Sequence, residues 1–352
     1  MSFDLLAFGK GVDIIFALAS LAVLYRLARL VLRDAVLSLV ATLAFAFDAW
    51  FLRWAGSAME TSCAVFLTLS VVYSGLTERR NTSAFLCGLL ALVRPEGALL
   101  FFLLLAASLF PFKKASFDFV LKPILFFCLP VVPWLIFSYF YFGTILPNSF
   151  FSKSNGIVSL ADGIEGATIT GKIILSTQFL AFVGNFLAFW FLVRNRNYET
   201  GKAPGLLFVW SVALILYYVI DGVEVVSRYL LIIIPCIIII GLWGWAEFYK
   251  TKPHIRTYFA AFFFFLTFAQ SQFVYWVVVK PHTDNFTWGT EHCLKPMAFW
   301  LRDNTSESTK VVVPDIGAIG YYSDRVIYDP AGLVTPKVRE AFRGFGYDEG
   351  MK

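Results

Sequence analysis

The sequence predicts an α-helical polytopic membrane protein of about 8–10 membrane segments, some of them short, with a small C-terminal α/β extracytoplasmic domain. Three observations predict it. The chain is 59% hydrophobic and 15% charged, with a mean hydropathy of +0.71; a soluble domain is near half apolar and about a quarter charged. Apolar runs recur through the first 280 residues and stop there. The polar connections between the runs alternate between basic and non-basic. The division is therefore a multi-helix membrane domain over 1–280 and a small polar domain over 281–352.

The runs fall at 12–25, 35–52, 61–76, 84–93, 97–111, 119–141, 173–193, 205–220, 229–248 and 257–279. A full span needs about 20 residues, fewer where a helix is short and sheltered by protein. "YRLARLVLRD", "TERRN", "PFKK", "RNRNYETGK" and "YKTKPHIR" are rich in Lys and Arg. "AGSAMET", "RPEG", "YFGTILPNSFFSKSNG" and "DGVEVVSR" carry Gly, Pro, Asn and acids instead. The two sets alternate, so the positive-inside rule places the first set in the cytoplasm and the second outside. The net charge of +5 follows from these loops and calls for no nucleic-acid partner.

The alternation decides how to read Phe85–Phe110, an apolar stretch interrupted by Arg94, Pro95, Glu96 and Gly97. An arginine and a glutamate at mid-membrane cost roughly 3 kcal/mol each on insertion scales. As one helix, the stretch would put "TERR" and "PFKK" on opposite sides. As two short helices joined at "RPEG", it keeps every basic loop on one side. Proline removes a helix donor and turns the preceding residue away from helical geometry, so Arg94–Pro95 is the expected break. The alternative is a single kinked span with Arg94 paired to Glu96.

The same parity puts "MSFDLLAFGKG" outside. The first run has no basic flank before it and no small-residue cleavage site after it, so it does not read as a signal peptide. A preceding helix and outer loop are expected upstream of this sequence. Past Lys280 the pattern reads as a helix (291–303), a strand ("KVVVPD"), a Gly turn, a short strand or helix, and a final helix. At about 70 residues, this unit has a thin core and needs a surface to dock on. The five cysteines form no C-x-x-C, and those in apolar runs read as small core residues. "EHC" at 291–293 lacks the spacing of a metal-ligand set.

The outer segments carry the candidate site. Glu60 begins a helix, where the macrodipole favours a carboxylate. Arg94 has the planar fork suited to phosphate or carboxylate, and Glu96 again stands at a helix start. "SYFYFGTILPNSFFSK" brings aromatics, Asn148 and Lys153 to the membrane edge. "DGVEVVSRYL" brings Asp221, Glu224 and Arg228; an arginine on a helix's first turn opposes the macrodipole and calls for an anionic partner. For Glu60, Arg94 and Arg228 the plainer reading is a cap or a structural ion pair. Together these residues suit an amphipathic ligand with an anionic head and an apolar tail, with carboxylates and cations in one pocket.

"SAMETS", "GLLALVRPEGALL", "YFGTILPNSFFSK", "SRYLLIIIP" and "DIGAIGYYSDRVIYDPAGLVTP" resemble, in that order, the bacterial multi-spanning glycosyltransferases of the GT-C fold. The nearest branch looks like the terminal arabinofuranosyltransferases of the mycobacterial cell wall and their relatives. The resemblance runs over roughly 10–340; each motif alone is weak, and five in order point to the family rather than to one sugar. It implies an inverting transfer from a polyprenyl-phosphate sugar donor to a cell-envelope glycan, lipid or protein acceptor. The reaction would take place on the outer face of the cytoplasmic membrane, with the chain multi-pass among membrane lipids. Arg94, Lys153 and Arg228 match basic positions that meet the donor phosphate, Lys153 and Arg228 foremost. Glu60, Glu96 and Asn148 match the pocket's polar lining, with Asp221 added from the residues themselves, and Asp315 matches an acid of the outer domain. No cofactor is called for; a divalent metal stays open.

The chain departs from the family at its start. Family members open with a helix and an outer loop carrying an acidic pair, the expected base. Here Asp4 and Asp13 stand isolated, so the catalytic residue is unknown. The chain as written is expected to be inactive, either truncated at the amino terminus or degenerate. Rival readings are a transporter or lipid flippase, in which broken helices also occur, and a non-catalytic lipid-sugar-binding protein. No second broken helix occurs in a matching half, which weighs against the first.

Overall fold

In a computed structural model, the protein is described over residues 5–109, 116–145, 160–194, 198–222, 225–330 and 332–335. Asn148, Lys153, Glu224, Asp4 and the expected final helix lie outside these residues. The helices are α1 (Leu5–Leu32), α2 (Ala35–Ala46), α3 (Ala49–Trp54), α4 (Thr61–Leu76), α5 (Arg80–Val93), α6 (Glu96–Leu109), α7 (Phe117–Phe142), α8 (Leu160–Arg194), α9 (Tyr198–Asp221), α10 (Ser227–Leu230), α11 (Ile234–Phe248) and α12 (Pro253–Val274). Five described helical stretches are long and apolar enough to cross a membrane, and five shorter apolar helices accompany them. That matches the expected mixture of long and short segments, and the chain is a multi-pass membrane protein.

The break at "RPEG" is real. α5 ends at Val93, and Arg94 is extended at φ −147°, ψ 127°. α6 then folds back on α5. A Cβ at Gly97 would lie 2.5 Å from the Ala91 amide nitrogen, so only glycine permits this close a return. Close helix approach recurs where α8 crosses α11: Gly184, Gly241 and Gly244 sit against opposing backbone, beside Ala181 and Ala188. In lipid such small residues replace the hydrophobic drive with contact area.

Several boundaries differ from the apolar runs. The run 35–52 divides at Asp48, whose Oδ1 accepts the Trp50 and Phe51 amides and so starts a second helix, α3. α8 begins thirteen residues before the run at 173, through "LADGIEGATITGK". No proline interrupts that stretch, and Asp162 lies in its first turn, where the dipole favours it. α8 kinks at Gln178 (φ −128°, ψ 38°), where the side-chain amide donates to buried Asp48 Oδ2 at 2.9 Å. The 229–248 run opens as the short α10 and resumes at α11, with Pro235 in its first turn.

The helix that carries the last apolar run does not stop with the run at 279. It continues as one helical rod over His254–Asn304, 51 residues long. α12 passes through a π-turn (Tyr275–Val279) into α13 (Lys280–Gly289), and through a second (Thr290–Leu294) into α14 (Lys295–Asn304). Each π-turn is followed, after one lysine, by a proline, Pro281 or Pro296. A proline lacks the amide and crowds the carbonyl four residues back; the wider turn takes up that mismatch without breaking the rod. Residue 280 thus falls inside a continuous helix.

Beyond the rod, β1 (Lys310–Val312) and β2 (Val326–Tyr328) pair in parallel, Val311 opposite Ile327, with α15 (Ala318–Ser323) between them. This is the expected small α/β unit, with a helix at the position left open. Arg325 ties it to the rod: its Nε donates to Thr305 Oγ1 at 2.9 Å and its Nη2 to the Thr305 carbonyl at 2.8 Å. Asp315 Oδ1 accepts the Gly317 amide at 3.1 Å, shaping the turn into α15.

The loops sort by composition in space. Arg256, from "YKTKPHIR", pairs with Asp34, from "YRLARLVLRD". "TERRN" and the start of α7 line one groove. "AGSAMET", "RPEG" and "SR" of "DGVEVVSR" meet one another elsewhere, and that meeting forms the candidate site.

Candidate functional site

The loop from Ala55 to Glu60 is the hub. It leaves α3 after Trp54 and enters α4 at Thr61. Ala58 adopts a left-handed φ of 58°, a conformation that costs a residue bearing a Cβ roughly 1–2 kcal/mol. Three neighbours hold the loop. Asp13, buried in α1, accepts the Ser57 amide on Oδ2 at 3.0 Å. Arg228 reaches Met59 Sδ at 3.2 Å. Arg94 pairs with Glu60 at 3.4 Å.

Glu60 stands at the N-cap of α4, yet its side chain makes no cap bond. It turns to Arg94, so the cap reading gives way to the ion pair. Arg94 is 4% exposed and lies between Glu60, 41% exposed, and Glu96, 9% exposed and 3.9 Å away. The Tyr218 hydroxyl of α9 donates to the same Glu96 oxygen that faces Arg94. The hairpin tip is therefore locked to α4 and α9 by one guanidinium, two carboxylates and one phenol. Buried charges persist where they are paired; here the pairing is incomplete, since among the described residues Arg94 Nε and Nη1 and Glu96 Oε2 have no hydrogen-bond partner.

Arg228 differs. It opens α10 and has no carboxylate within salt-bridge distance among the described residues. Its contacts are Met59 Sδ, the Tyr229 hydroxyl at 3.4 Å and two aromatic rings. Among the described residues its buried Nε has no hydrogen-bond partner, as is also true of Arg94 Nε and Nη1, so the two arginines differ in their carboxylates and not in this. The Tyr229 ring faces both Arg94 at 4.9 Å and Arg228 at 5.2 Å. The Trp54 ring faces Arg228 at 5.7 Å and Arg53 at 4.9 Å, with its Nε1 fixed on Ser227 Oγ at 2.9 Å. Ring faces attract cations by about 0.5–2 kcal/mol each but neutralise none of them.

Of the expected residues, Glu60, Arg94, Glu96 and Arg228 come together. Asp221 ends α9, the helix that carries Tyr218. Asn148 and Lys153 lie outside the described residues. Asp315 shapes a turn in the small α/β unit. Four further residues join the cluster: Asp13, Trp54, Tyr218 and Tyr229. Only Asp13, a lone acid near an apolar run, carries a signal of its own. The two glutamates share one guanidinium, and among the described residues no three His, Cys, Asp or Glu side chains converge as a metal set.

Arg228, with no carboxylate in salt-bridge distance among the described residues, thus stands beside Arg94, which has two. Comparison with known proteins bears on the fold. ArnT from Cupriavidus metallidurans, whose crystal structure was solved bound to undecaprenyl phosphate, is similar to this chain at a TM-score of 0.58 and 12% identity, over 96% of this chain and 76% of that one. At such identity the likeness establishes architecture: the chain has a GT-C-like polytopic fold. A family model described as "Domain of unknown function (DUF8728)" matches residues 284–350. No curated protein matches the chain.

Proposed function

We propose that the chain is a membrane glycosyltransferase, or the lipid-binding body of one. It would take a sugar from a polyprenyl-phosphate donor to a cell-envelope glycan, lipid or protein acceptor outside the cytoplasmic membrane. The arabinofuranosyltransferase branch is the first candidate, on the five motifs. The observation that carries the reading is Arg228, a cation with no carboxylate in salt-bridge distance among the described residues, set beside Glu60, Arg94 and Glu96. The similarity to a structure holding undecaprenyl phosphate supports it. Arg228 and Lys153 hold the donor phosphate; Arg94, Glu60, Glu96, Asn148 and Asp221 line the pocket. The acceptor hydroxyl gives up its proton to a base, its oxygen attacks the sugar C1, the C1–O bond to phosphate breaks, and polyprenyl phosphate leaves with the bonding pair. Fixed cations stabilise that leaving charge without reorganising. The small domain over 281–352 lies outside the membrane, on the acceptor side; the family match over 284–350 supports treating it as a unit.

Binding of undecaprenyl phosphate to the detergent-solubilised chain tests the phosphate position. A charge-assisted hydrogen bond contributes about 1.5–3 kcal/mol, so Arg228→Ala is expected to weaken binding by roughly tenfold or more. Unchanged affinity in Arg228→Ala overturns the assignment.

A further inference from the structure

The chain of contacts Arg94–Tyr229–Arg228–Trp54 ends on a third arginine, Arg53. Arg53 is partly buried and, like Arg228, has no carboxylate within salt-bridge distance among the described residues. Its hydrogen-bond partner is His282 Nδ1 at 3.3 Å, which must accept, because a guanidinium only donates. Arg53 lines a cavity of about 140 Å³ together with Tyr275, Lys280, Thr283 and Asp284. Arg228 is not among its lining residues. Lys280 Nζ meets Asp284 Oδ2 at 2.7 Å. Two cations and one carboxylate leave one positive charge in excess there. The space suits a charged head group rather than a polyprenyl tail. A planar guanidinium drawn partly out of water beside an ammonium matches phosphate in shape and charge.

We infer that this cavity binds a phosphate group carried by the acceptor, held by Arg53 and Lys280 next to the donor-phosphate position. Only the word acceptor rests on the function proposed above; the phosphate site stands on the cavity. The acceptors it selects are anionic ones, built of glycerol-phosphate or sugar-phosphate units. Trp54 couples the two positions, since its ring faces both Arg53 and Arg228.

The test uses the full chain in phosphatidylcholine nanodiscs, titrated with sn-glycerol 3-phosphate, with glycerol, and separately with undecaprenyl phosphate. Glycerol 3-phosphate is expected to bind and glycerol not to. Arg53→Ala and Arg53→Gln should each weaken glycerol 3-phosphate binding at least tenfold, and Arg53→Lys less, while undecaprenyl phosphate binding changes less than twofold. Arg228→Ala should show the reverse pattern. Equal binding of glycerol 3-phosphate by wild type and both neutral Arg53 variants overturns the site, as does equal loss in Arg228→Ala. Abolition of glycerol 3-phosphate binding in phosphatidylglycerol nanodiscs would mark a lipid head-group site and overturn the acceptor assignment. Absence of undecaprenyl phosphate binding in every form would overturn the donor reading alone, leaving the Arg53 result intact.

Discussion

Arg94 and Arg228 face the same tyrosine ring and belong to the same site, yet their surroundings differ. Arg94 is almost wholly buried between two carboxylates, one of which also takes a phenol hydroxyl. Arg228 is half-buried, with a thioether, a phenol and two rings for company. On the function proposed above, two like residues divide into a lock and a binding group, and the counterions decide which is which. A charge paired within the protein holds the fold; one with no carboxylate in salt-bridge distance among the described residues is, on that proposal, kept for a ligand.

The sharpest way to break this comparison is Arg94→Ala. It leaves Glu96 buried without its cation and frees the hairpin tip from α4. Removing one partner of a buried pair costs about 3–5 kcal/mol, so thermal unfolding in detergent should fall steeply. Arg228→Ala gives up its Met59 and ring contacts but strands no buried carboxylate, so its stability loss should be clearly smaller than that of Arg94→Ala, while its lipid affinity falls as described above. A large stability loss in Arg228→Ala, or none in Arg94→Ala, reverses the two roles.

Tyr218→Phe makes the next largest change. It keeps the ring in the core of α9 and removes only the hydroxyl that donates to Glu96. A buried acceptor left unsatisfied costs about 1–3 kcal/mol. The expected result is a destabilisation smaller than that of Arg94→Ala, with undecaprenyl phosphate affinity nearly unchanged. The double variant with Glu96→Gln should recover part of the loss, since a neutral amide tolerates the missing donor better than a carboxylate does. No recovery would mean that the phenol supports packing rather than charge.

The helical architecture was legible because span length and loop charge are properties of the chain itself. The hairpin break could be read from Pro95 and from the parity of the basic loops. Glu60, Arg94, Glu96 and Arg228 could be read as candidates because a charge inside an apolar run is costly wherever it sits. What could not be read depends on contacts distant in sequence. Asp13 looks isolated because its partner Ser57 is 44 residues away. The kink at Gln178 answers to Asp48, 130 residues distant. Tyr218 lies in an apolar run, where a tyrosine equally suits the membrane interface. The continuity of the last helix past 279 was not legible because the sequence turns polar there, while the folded chain carries the rod past Pro281 and Pro296 with two π-turns.

The smallest expected effect concerns the hub loop and refines the comparison most finely. Ala58 sits at φ 58°, next to Met59, which touches Arg228, and two residues before Glu60, which holds Arg94. Its backbone therefore sets the spacing between the lock and the binding group. Ala58→Gly relieves roughly 1–2 kcal/mol of left-handed strain and adds about 0.4–1 kcal/mol of unfolded-state entropy against folding. It also removes the Cβ that abuts Gly9 on α1. The net stability change should lie between zero and a gain of about 1 kcal/mol. The freer loop should hold Met59 less firmly, so undecaprenyl phosphate binding to Ala58→Gly should weaken by about two- to threefold, under 0.7 kcal/mol. A gain in stability with that small loss of affinity would show that the strain serves the Arg228 side of the site. A loss of stability beyond about 1 kcal/mol would instead make the Ala58 contact with α1 a packing feature, and the loop a part of the lock.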